Sequence, residues 1–402
     1  MSKPDAIRPS LLSDRLAALG HRHDLLRAEI QRAQTAEAMT RARMGEALVA
    51  ALAARSRAEA EARTQIMARH LAAARSRLRP DRRTRRRATA ERLLARLGAW
   101  GQALVIARSG IWQAPRAGLR GVLRALPAIA AYVRRGPDPA AAPLTLFDQA
   151  WYLKANPDVA GSGRSPLIHY LLTGGREGRS PHPLFDHDAY ARAAGDDLRA
   201  SGLTALEHFL RVGGPQGLSP SSLFDPAWYV VQAPELADTG ETPLLHFLRT
   251  GARHGLSPHI LFQPDYYRHR ALGLAADANP LIHYLVEGSR QGAAPHPLFD
   301  PAWYLDRYPE VGTEEPLQHF VKRAAHDDLD PGPWFDAVGY KALRGADRPA
   351  DRDPLSDYLL EGAWAIAEPR SGFHAFAYLA AHPELADLGL TPLEHWARAS
   401  GR

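Results

Sequence analysis

The sequence contains no cysteine among its 402 residues. Disulfide bonds, cysteine-ligated zinc fingers and cysteine nucleophiles are therefore excluded. The first residues carry no apolar core of a secretory signal, and no run of about 18 apolar residues predicts a transmembrane helix. These absences predict a cytoplasmic protein, with peripheral attachment to the inner membrane surface as an alternative.

Familiar catalytic motifs are absent too. The sequence has no G-x-S-x-G, no H-E-x-x-H and no phosphate loop ending in G-K-[ST]. The acidic pairs Asp196-Asp197 and Asp327-Asp328 follow no apolar strand, so we interpret them as surface charge. We expect no catalytic residue, no metal and no cofactor, although the pattern leaves enzymatic activity open.

The charge distribution divides the chain. Residues 1–142 contain 28 Lys+Arg and 11 Asp+Glu, a net of 28 − 11 = +17, and residues 143–402 contain 22 and 33, a net of −11. Composition predicts three regions: 1–78, 79–142 and 143–402. The two oppositely charged parts of the chain face different partners or each other.

The first region predicts a long helix over about 11–78, because it lacks Pro and is dense in helix-forming residues. Apolar positions recur at heptad spacing, which is typical of a coiled coil. We expect self-association through residues 11–78. The alternative is a single helix that folds back on the rest of the chain. The heptad positions are Leu16, Leu19, His23, Leu26, Ile30 and Ala33.

The second region predicts basic amphipathic helices followed by a linker that ends at Pro143. Arginines interleaved with Leu and Trp are typical of a segment that binds an anionic membrane surface or an acidic partner. Packing of this segment on the array that follows is an alternative, and nucleic-acid binding is the least favoured interpretation. The candidate binding residues are Arg79, Arg82, Arg83, Arg85, Arg86, Arg87, Trp100 and Trp112.

The third region repeats itself. Seven copies start at Phe147, Phe185, Phe224, Phe262, Phe299, Phe335 and Phe373, at intervals of 38, 39, 38, 37, 36 and 38 residues. Each copy predicts two short helices that cannot bury their apolar faces alone. We therefore expect an all-α fold in which stacked units form an α-solenoid-like array.

Two polar positions recur in the array. An Asp follows the first Phe and predicts an N-cap, as in Asp148, with Gln263 and His374 departing from the pattern. A His follows Pro-Leu-x, or Ala-Leu-Glu in the second copy, in every copy except the one with Asp357. A ladder of metal or glycan ligands is one interpretation. We favour a structural imidazole bonded to a loop backbone or to the N-cap Asp. These histidines are His169, His208, His246, His283, His319 and His395.

The first copy carries a family resemblance in Phe147–Ala160 and Pro166–Pro181. It resembles repeats that accompany the catalytic domains of bacterial glycosyltransferases building surface polysaccharides. The resemblance covers 146–402 and implies a setting in cell-envelope glycan assembly, with a transferase or another protein as partner, but no transferase domain is found. We expect a noncatalytic scaffold. The alternatives are a glycosyltransferase component acting with a catalytic domain and a glycan-binding module using the repeat Trp and Tyr side chains.

Overall fold

The computed structural model describes residues 9–75, 91, 93–112, 119–365 and 368–400. Within those ranges every regular element is helical, and extended pairing is limited to three isolated bridges. The expected all-α class is confirmed. The predicted binding arginines at 79–87 lie outside the described residues.

The expected long helix is present as α1 (Pro9–Arg75). Its two parts have different surroundings. From Gly45 to Leu71 one side of α1 packs on the array, whereas the described side chains from 21 to 44 are exposed to solvent. Folding back, which the sequence offered as an alternative, therefore applies to the second part of α1.

Two further helices, α2 (Gly98–Ser109) and α3 (Leu119–Arg135), pack against each other and share one apolar core with the array. Tyr132 of α3 is buried and accepts a hydrogen bond from the backbone N–H of Leu167 at 3.4 Å. Within the array, Tyr170 accepts the equivalent bond from Leu206 at 3.3 Å. The end of α3 therefore takes the place of a preceding unit and caps the array.

Each unit of the array begins with one helix and ends with a second, as expected. Units 1 to 3 contain α4 (Gln149–Ala155), α5 (Pro157–Ala160), α6 (Pro166–His169), α7 (His187–Ser201), α8 (Ala205–His208), α9 (Pro226–Gln232), α10 (Leu236–Thr239) and α11 (Pro243–His246). Units 4 to 7 contain α12 (Pro264–Arg268), α13 (Pro280–His283), α14 (Pro301–Arg307), α15 (Pro316–Arg323), α16 (Ala337–Arg344), α17 (Pro354–Asp357), α18 (Ala375–Ala381), α19 (Leu385–Leu388) and α20 (Pro392–Ala399). Short 3₁₀ turns span Pro309–Val311 and Gly345–Asp347.

The N-cap interpretation is confirmed for the recurring Asp. Its carboxylate accepts a backbone N–H of the first helical turn in five units, at Asp148, Asp186, Asp225, Asp300 and Asp336. Gln263 and His374 make no such side-chain cap. A cap satisfies a backbone donor that the helix itself leaves unpaired, which fixes where each first helix starts.

Units three apart in sequence lie side by side. Lys322 Nζ in unit 5 is 3.0 Å from the carboxylate of Asp186 in unit 2. His296 Nε2 in unit 4 is 3.3 Å from the carboxylate of Glu394 in unit 7, and both side chains are buried. The array therefore winds tightly, with about three units in each superhelical turn of the solenoid.

The docked part of α1 crosses these turns. Leu52 packs with Leu379 and Leu385 of unit 7. Ser56 Oγ donates to the carbonyl of Leu360 in unit 6, and His70 Nδ1 lies 3.1 Å from the carbonyl of Leu236 in unit 3. α1 is therefore a strut that joins successive turns.

Candidate functional site

The recurring His of each unit is paired with a Tyr of the same unit. The Tyr hydroxyl oxygen and the His Nδ1 are 2.7 to 3.0 Å apart in six units. The prediction that this His bonds to a loop backbone or to the N-cap Asp is therefore wrong. The Tyr comes from the first helix and the His from the second, so the bond joins the two helices. The pairs are Tyr152–His169, Tyr190–His208, Tyr229–His246, Tyr267–His283, Tyr304–His319 and Tyr378–His395.

In three of these pairs burial favours the neutral form of both side chains. Burial raises the pKa of the Tyr190 hydroxyl far above its ordinary value and lowers the pKa of His208. The same directions and cause hold for Tyr152 with His169 and for Tyr304 with His319. A neutral imidazole that exchanges a hydrogen bond with a phenol satisfies two groups that are costly to bury unpaired. The geometry supports an architectural role for this position.

A glycine five residues after the His makes room for the Tyr hydroxyl. A Cβ at Gly251 would lie 1.9 Å from the Tyr229 hydroxyl oxygen, and Gly288 has the same relation to Tyr267 at 1.8 Å. In five units the helix widens here into one π turn. These turns are Tyr170–Gly174, Phe209–Gly213, Phe247–Gly251, Tyr284–Gly288 and Tyr358–Gly362.

Units 5 and 7 have Ala324 and Ser400 in place of this glycine, and there the second helix keeps regular α-helical bonding. The N–H of Ala324 donates to the carbonyl of Phe320, four residues earlier, whereas that of Ala252 donates to Phe247, five residues earlier. The π turn therefore accompanies the glycine rather than the repeat as a whole.

Unit 6 replaces the imidazole with a charged pair. The Asp357 carboxylate accepts from the Tyr340 hydroxyl at 2.6 Å and from Arg344 Nε at 2.9 Å. Asp357 is fully buried and the side chain of Arg344 is 9% exposed. Arg344 lies four residues after the Tyr, where unit 3 has Ala233. The departure from His is thus compensated by a second change in the same unit.

A second histidine of the repeat was missed by the sequence interpretation. His182 Nδ1 accepts the backbone N–H of Leu184 at 3.0 Å, and His259 and His296 make the same turn contact in units 3 and 4. Burial lowers the pKa of His182 to about 4. The recurring Pro-His before Leu-Phe was the signal that could have found this turn.

The repeat tryptophans Trp151 and Trp303 pack on the core, and these two and Trp228 are only partly exposed. Trp228 donates from its indole N–H to Ser257 Oγ at 3.1 Å, and the Arg63 guanidinium of α1 lies 6.0 Å from its ring centroid. Stacking of a sugar on Trp228 would have to displace that part of α1.

The second region presents an apolar and basic surface beside the array. Leu93, Leu97 and Trp100 are 58%, 71% and 54% exposed, and the Arg134 guanidinium lies 5.7 Å from the Trp100 ring. Trp112, the other candidate, is instead half-buried against the core, with its ring 5.3 Å from that of Tyr132. The structure therefore separates the two tryptophans that the sequence grouped together. In the part of the chain that the structure describes, we find no helix with the length and apolar character needed to cross a bilayer.

The free part of α1 presents the other candidate surface. Leu26 and Ile30, both heptad positions, are 52% and 57% exposed, and Leu25, Met39 and Met44 are exposed as well. The backbone is helical through Leu16 and Leu19, whose side chains lie outside the described set. At about 1.5 Å per residue, the segment 9–44 is roughly 54 Å long. Among the described residues, no other part of the chain packs on the exposed side chains of the predicted seam.

Comparison with known proteins adds no relative: no family model, no curated protein and no solved structure matches this chain.

Proposed function

We propose that the protein is a noncatalytic scaffold whose copies associate through residues 9–44 of α1. The observation that carries the proposal is the change of environment along α1 at Gly45. The docked part fixes the helix to the array, and the free part exposes Leu26 and Ile30 at heptad spacing. A long helix exposed to water on all sides gains little stability by itself, whereas packing an apolar seam stabilises it.

A second copy of the chain is the partner that fits this seam. It supplies the same apolar spacing over the same length, and burial of each Leu or Ile contributes about 1.5–3 kcal/mol. Leu26 and Ile30 are two such side chains in each copy, and their burial offsets part of the entropy of association. The array then serves as a rigid body presented in two or more copies.

Sedimentation equilibrium of the full chain tests the association. We expect concentration-dependent oligomers for the natural sequence. We expect monomers for the double variant Leu26→Lys/Ile30→Lys, because association would bury the charge of each Lys in the seam. Leu272→Lys is the control, since Leu272 is 77% exposed on the array. A double variant that associates as strongly as the natural chain would refute the proposal.

We further propose that the scaffold works at an anionic membrane surface in cell-envelope polysaccharide assembly, beside a transferase or another protein. The exposed Leu93, Leu97 and Trp100 next to Arg134 support membrane contact, and the repeat resemblance supports the setting. Basic side chains near an anionic surface each contribute about 1 kcal/mol.

Vesicle co-sedimentation tests the membrane proposal. We expect binding to vesicles containing phosphatidylglycerol, weaker binding as salt rises, and loss of binding when the arginines at 82, 83, 85, 86 and 87 become Gln and Trp100 becomes Ala. Arg290→Gln is the control, because Arg290 is exposed on the array. Vesicle binding that changes neither with salt concentration nor with these substitutions would contradict the proposal.

A further inference from the structure

Unit 7 differs from the other units in the surroundings of its Tyr–His pair. The position four residues after the Tyr is Asn156 in unit 1, Ala233 in unit 3, Tyr308 in unit 5 and His382 in unit 7. Two residues further on, these same units carry an acidic side chain, Asp158, Glu235, Glu310 and Glu384. Unit 7 therefore adds a second imidazole to a carboxylate and an imidazole that are already neighbours.

The three side chains of unit 7 converge. One donor atom from each of His382, Glu384 and His395 lies within 4.8 Å of the other two. His382 Nδ1 is 3.0 Å from the Glu384 carboxylate, and the two imidazole rings are 5.0 Å apart between centroids. Both imidazoles are half-buried and Glu384 is exposed, so solvent and small ions reach the cluster.

The hydrogen bond between His395 and Tyr378 leaves Nε2 of His395 available to a metal ion. Its Nδ1 is 2.9 Å from the Tyr378 hydroxyl, so Nε2 is the ring nitrogen directed away from the pair. A histidine that binds a metal commonly donates its other ring N–H to an oxygen acceptor, which fixes the orientation of the ring. Tyr378 can serve as that acceptor, and the backbone that holds it belongs to the same unit.

Unit 1 provides a comparison in which a cation already occupies the equivalent place. The Arg179 guanidinium donates to Asn156 at 3.0 Å and to Asp158 at 2.8 Å. This arrangement neutralises the carboxylate beside His169. In unit 7 the carboxylate of Glu384 is paired instead with His382, a side chain that can bind a metal ion once it is neutral.

We propose that His382, Glu384 and His395 bind one divalent transition-metal ion per chain, with Zn²⁺ as the best fit. Two imidazole nitrogens and one carboxylate oxygen form a donor set typical of zinc, and a fourth position stays open to water or to a carboxylate of a partner. Zinc ligands lie about 2.0–2.2 Å from the metal, so side-chain rotations that bring the donors closer complete the site. Tyr378 is a positioning residue.

Calorimetric titration of ZnCl₂ into the full chain, prepared without a histidine tag, tests the proposal. We expect one site per chain in the natural sequence. Loss of an outer hydrogen-bond partner weakens metal sites by about 10- to 100-fold, so we expect His382→Ala to weaken Zn²⁺ binding by more than about 100-fold and Tyr378→Phe by about 10-fold. Ala233 occupies the equivalent position in unit 3, so we expect His382→Ala to fold, which circular dichroism checks.

His374→Ala is the matched control, because His374 also pairs with a carboxylate, Glu368, but has no second imidazole in the cluster. We expect it to bind Zn²⁺ as the natural chain does. Co²⁺ substitution gives a second readout, in which the natural chain develops a visible absorption band and His382→Ala does not. Equal binding by His382→Ala and the natural chain, equal loss in His374→Ala, or no saturable site in the natural chain would each overturn the proposal.

Discussion

At the scale of residues, the array depends on a small group of side chains that fit one another within each unit. The Tyr hydroxyl, the His Nδ1 and the missing Cβ of the following glycine meet at one point, as at Tyr229, His246 and Gly251. In unit 6 the exchange of His for Asp357 is accompanied by a second change, the buried partner Arg344. Substitutions at one member should therefore be costly unless a second member changes too.

Gly251→Ala should destabilise the array. The added methyl group would lie 1.9 Å from the Tyr229 hydroxyl oxygen, so the Tyr–His bond must break or the π turn must shift. Overpacking of this kind costs about 1–3 kcal/mol. Chemical denaturation measures the change, and Ala324→Gly is the control, expected to cost about 1 kcal/mol or less from helix propensity alone. A Gly251→Ala chain as stable as the natural one would show that the contact is easily relieved.

Asp357→His should destabilise unit 6 although it restores the residue found in the other six units. The substitution leaves the nearly buried Arg344 guanidinium without its main counter-ion, and removal of one partner from a buried ion pair costs about 3–5 kcal/mol. The double variant Arg344→Ala/Asp357→His recreates the arrangement of unit 3 and should recover much of this loss. Urea denaturation of both single variants and the double variant measures the coupling energy, and additive losses would contradict the interpretation.

At the scale of elements, α3 is part of the array although its sequence differs from the repeat. Tyr132 donates to Gln149 Oε1 at 2.5 Å and accepts from the backbone of Leu167, so it covers the exposed end of unit 1. Arg211 of unit 2 also donates to the carbonyl oxygens of Arg108 and Ser109 at the end of α2. Capping elements of this kind protect the apolar face of a terminal repeat from water.

Tyr132→Ala should destabilise the first units more than the last. The change opens a cavity in the core and leaves Gln149 Oε1 without its donor, which costs about 3–5 kcal/mol. Hydrogen exchange should show the loss of protection concentrated in α4 and α6, with α18 and α20 little affected. Trp100→Ala is the comparison on the exposed side of the same helical pair, expected to change stability by about 0.5 kcal/mol or less. Uniform loss of protection would argue against a local cap.

Much of this architecture follows from the sequence, because period and capping chemistry are local. The positions of Phe147 and its six equivalents predict the units, and Asp148 predicts the start of a helix. The Tyr–His bond could not be predicted, because its distance depends on how two helices of a unit cross. The capping role of Tyr132 could not be predicted either. Only the folded array shows that Tyr132 bonds to Leu167 as Tyr170 bonds to Leu206.

The candidate surfaces were predicted unevenly. The heptad seam at Leu26 and Ile30 was visible from spacing and is exposed in the fold. Trp100 and Trp112 were grouped by composition, and packing separates them. The cluster around His382 escaped notice because its members are conspicuous only beside Ala233 and Tyr308, once the units are superimposed by their shared contacts.

At the scale of the whole molecule, buried imidazoles make the fold sensitive to acid. Burial lowers the pKa of His182 to about 4 and lowers the pKa of His208 and His259. A histidine whose pKa is lowered by folding stabilises the fold above pH 6.5 and loses this contribution as pH falls toward the folded pKa. Glu315 acts in the opposite sense, because burial raises its pKa to about 7 and the fold then gains stability as pH falls through that range.

Burial also raises the pKa of Asp330 and Asp353. The melting temperature should nevertheless fall between pH 6.5 and pH 4, since the imidazoles whose pKa is lowered outnumber these three carboxyl groups. His182→Ser should reduce this dependence, because Ser221 holds the same turn in unit 2 through its hydroxyl. The contribution of His182 amounts to about 3 kcal/mol over this range. Calorimetric scans at several pH values measure it, with His374→Ala as an exposed control. An unchanged pH profile in His182→Ser would exclude His182 as a source of the sensitivity.

The crossing of α1 over successive turns restricts where a further unit could be inserted into the array. Leu52 meets unit 7, Ser56 meets unit 6 and His70 meets unit 3, all from one rigid rod. An open solenoid can lengthen by duplicating a repeat anywhere along its axis. Here an inserted unit would shift every later one by a third of a turn and carry these partners away from the rod. The contacts of α1 therefore disfavour duplication of a unit between units 3 and 7.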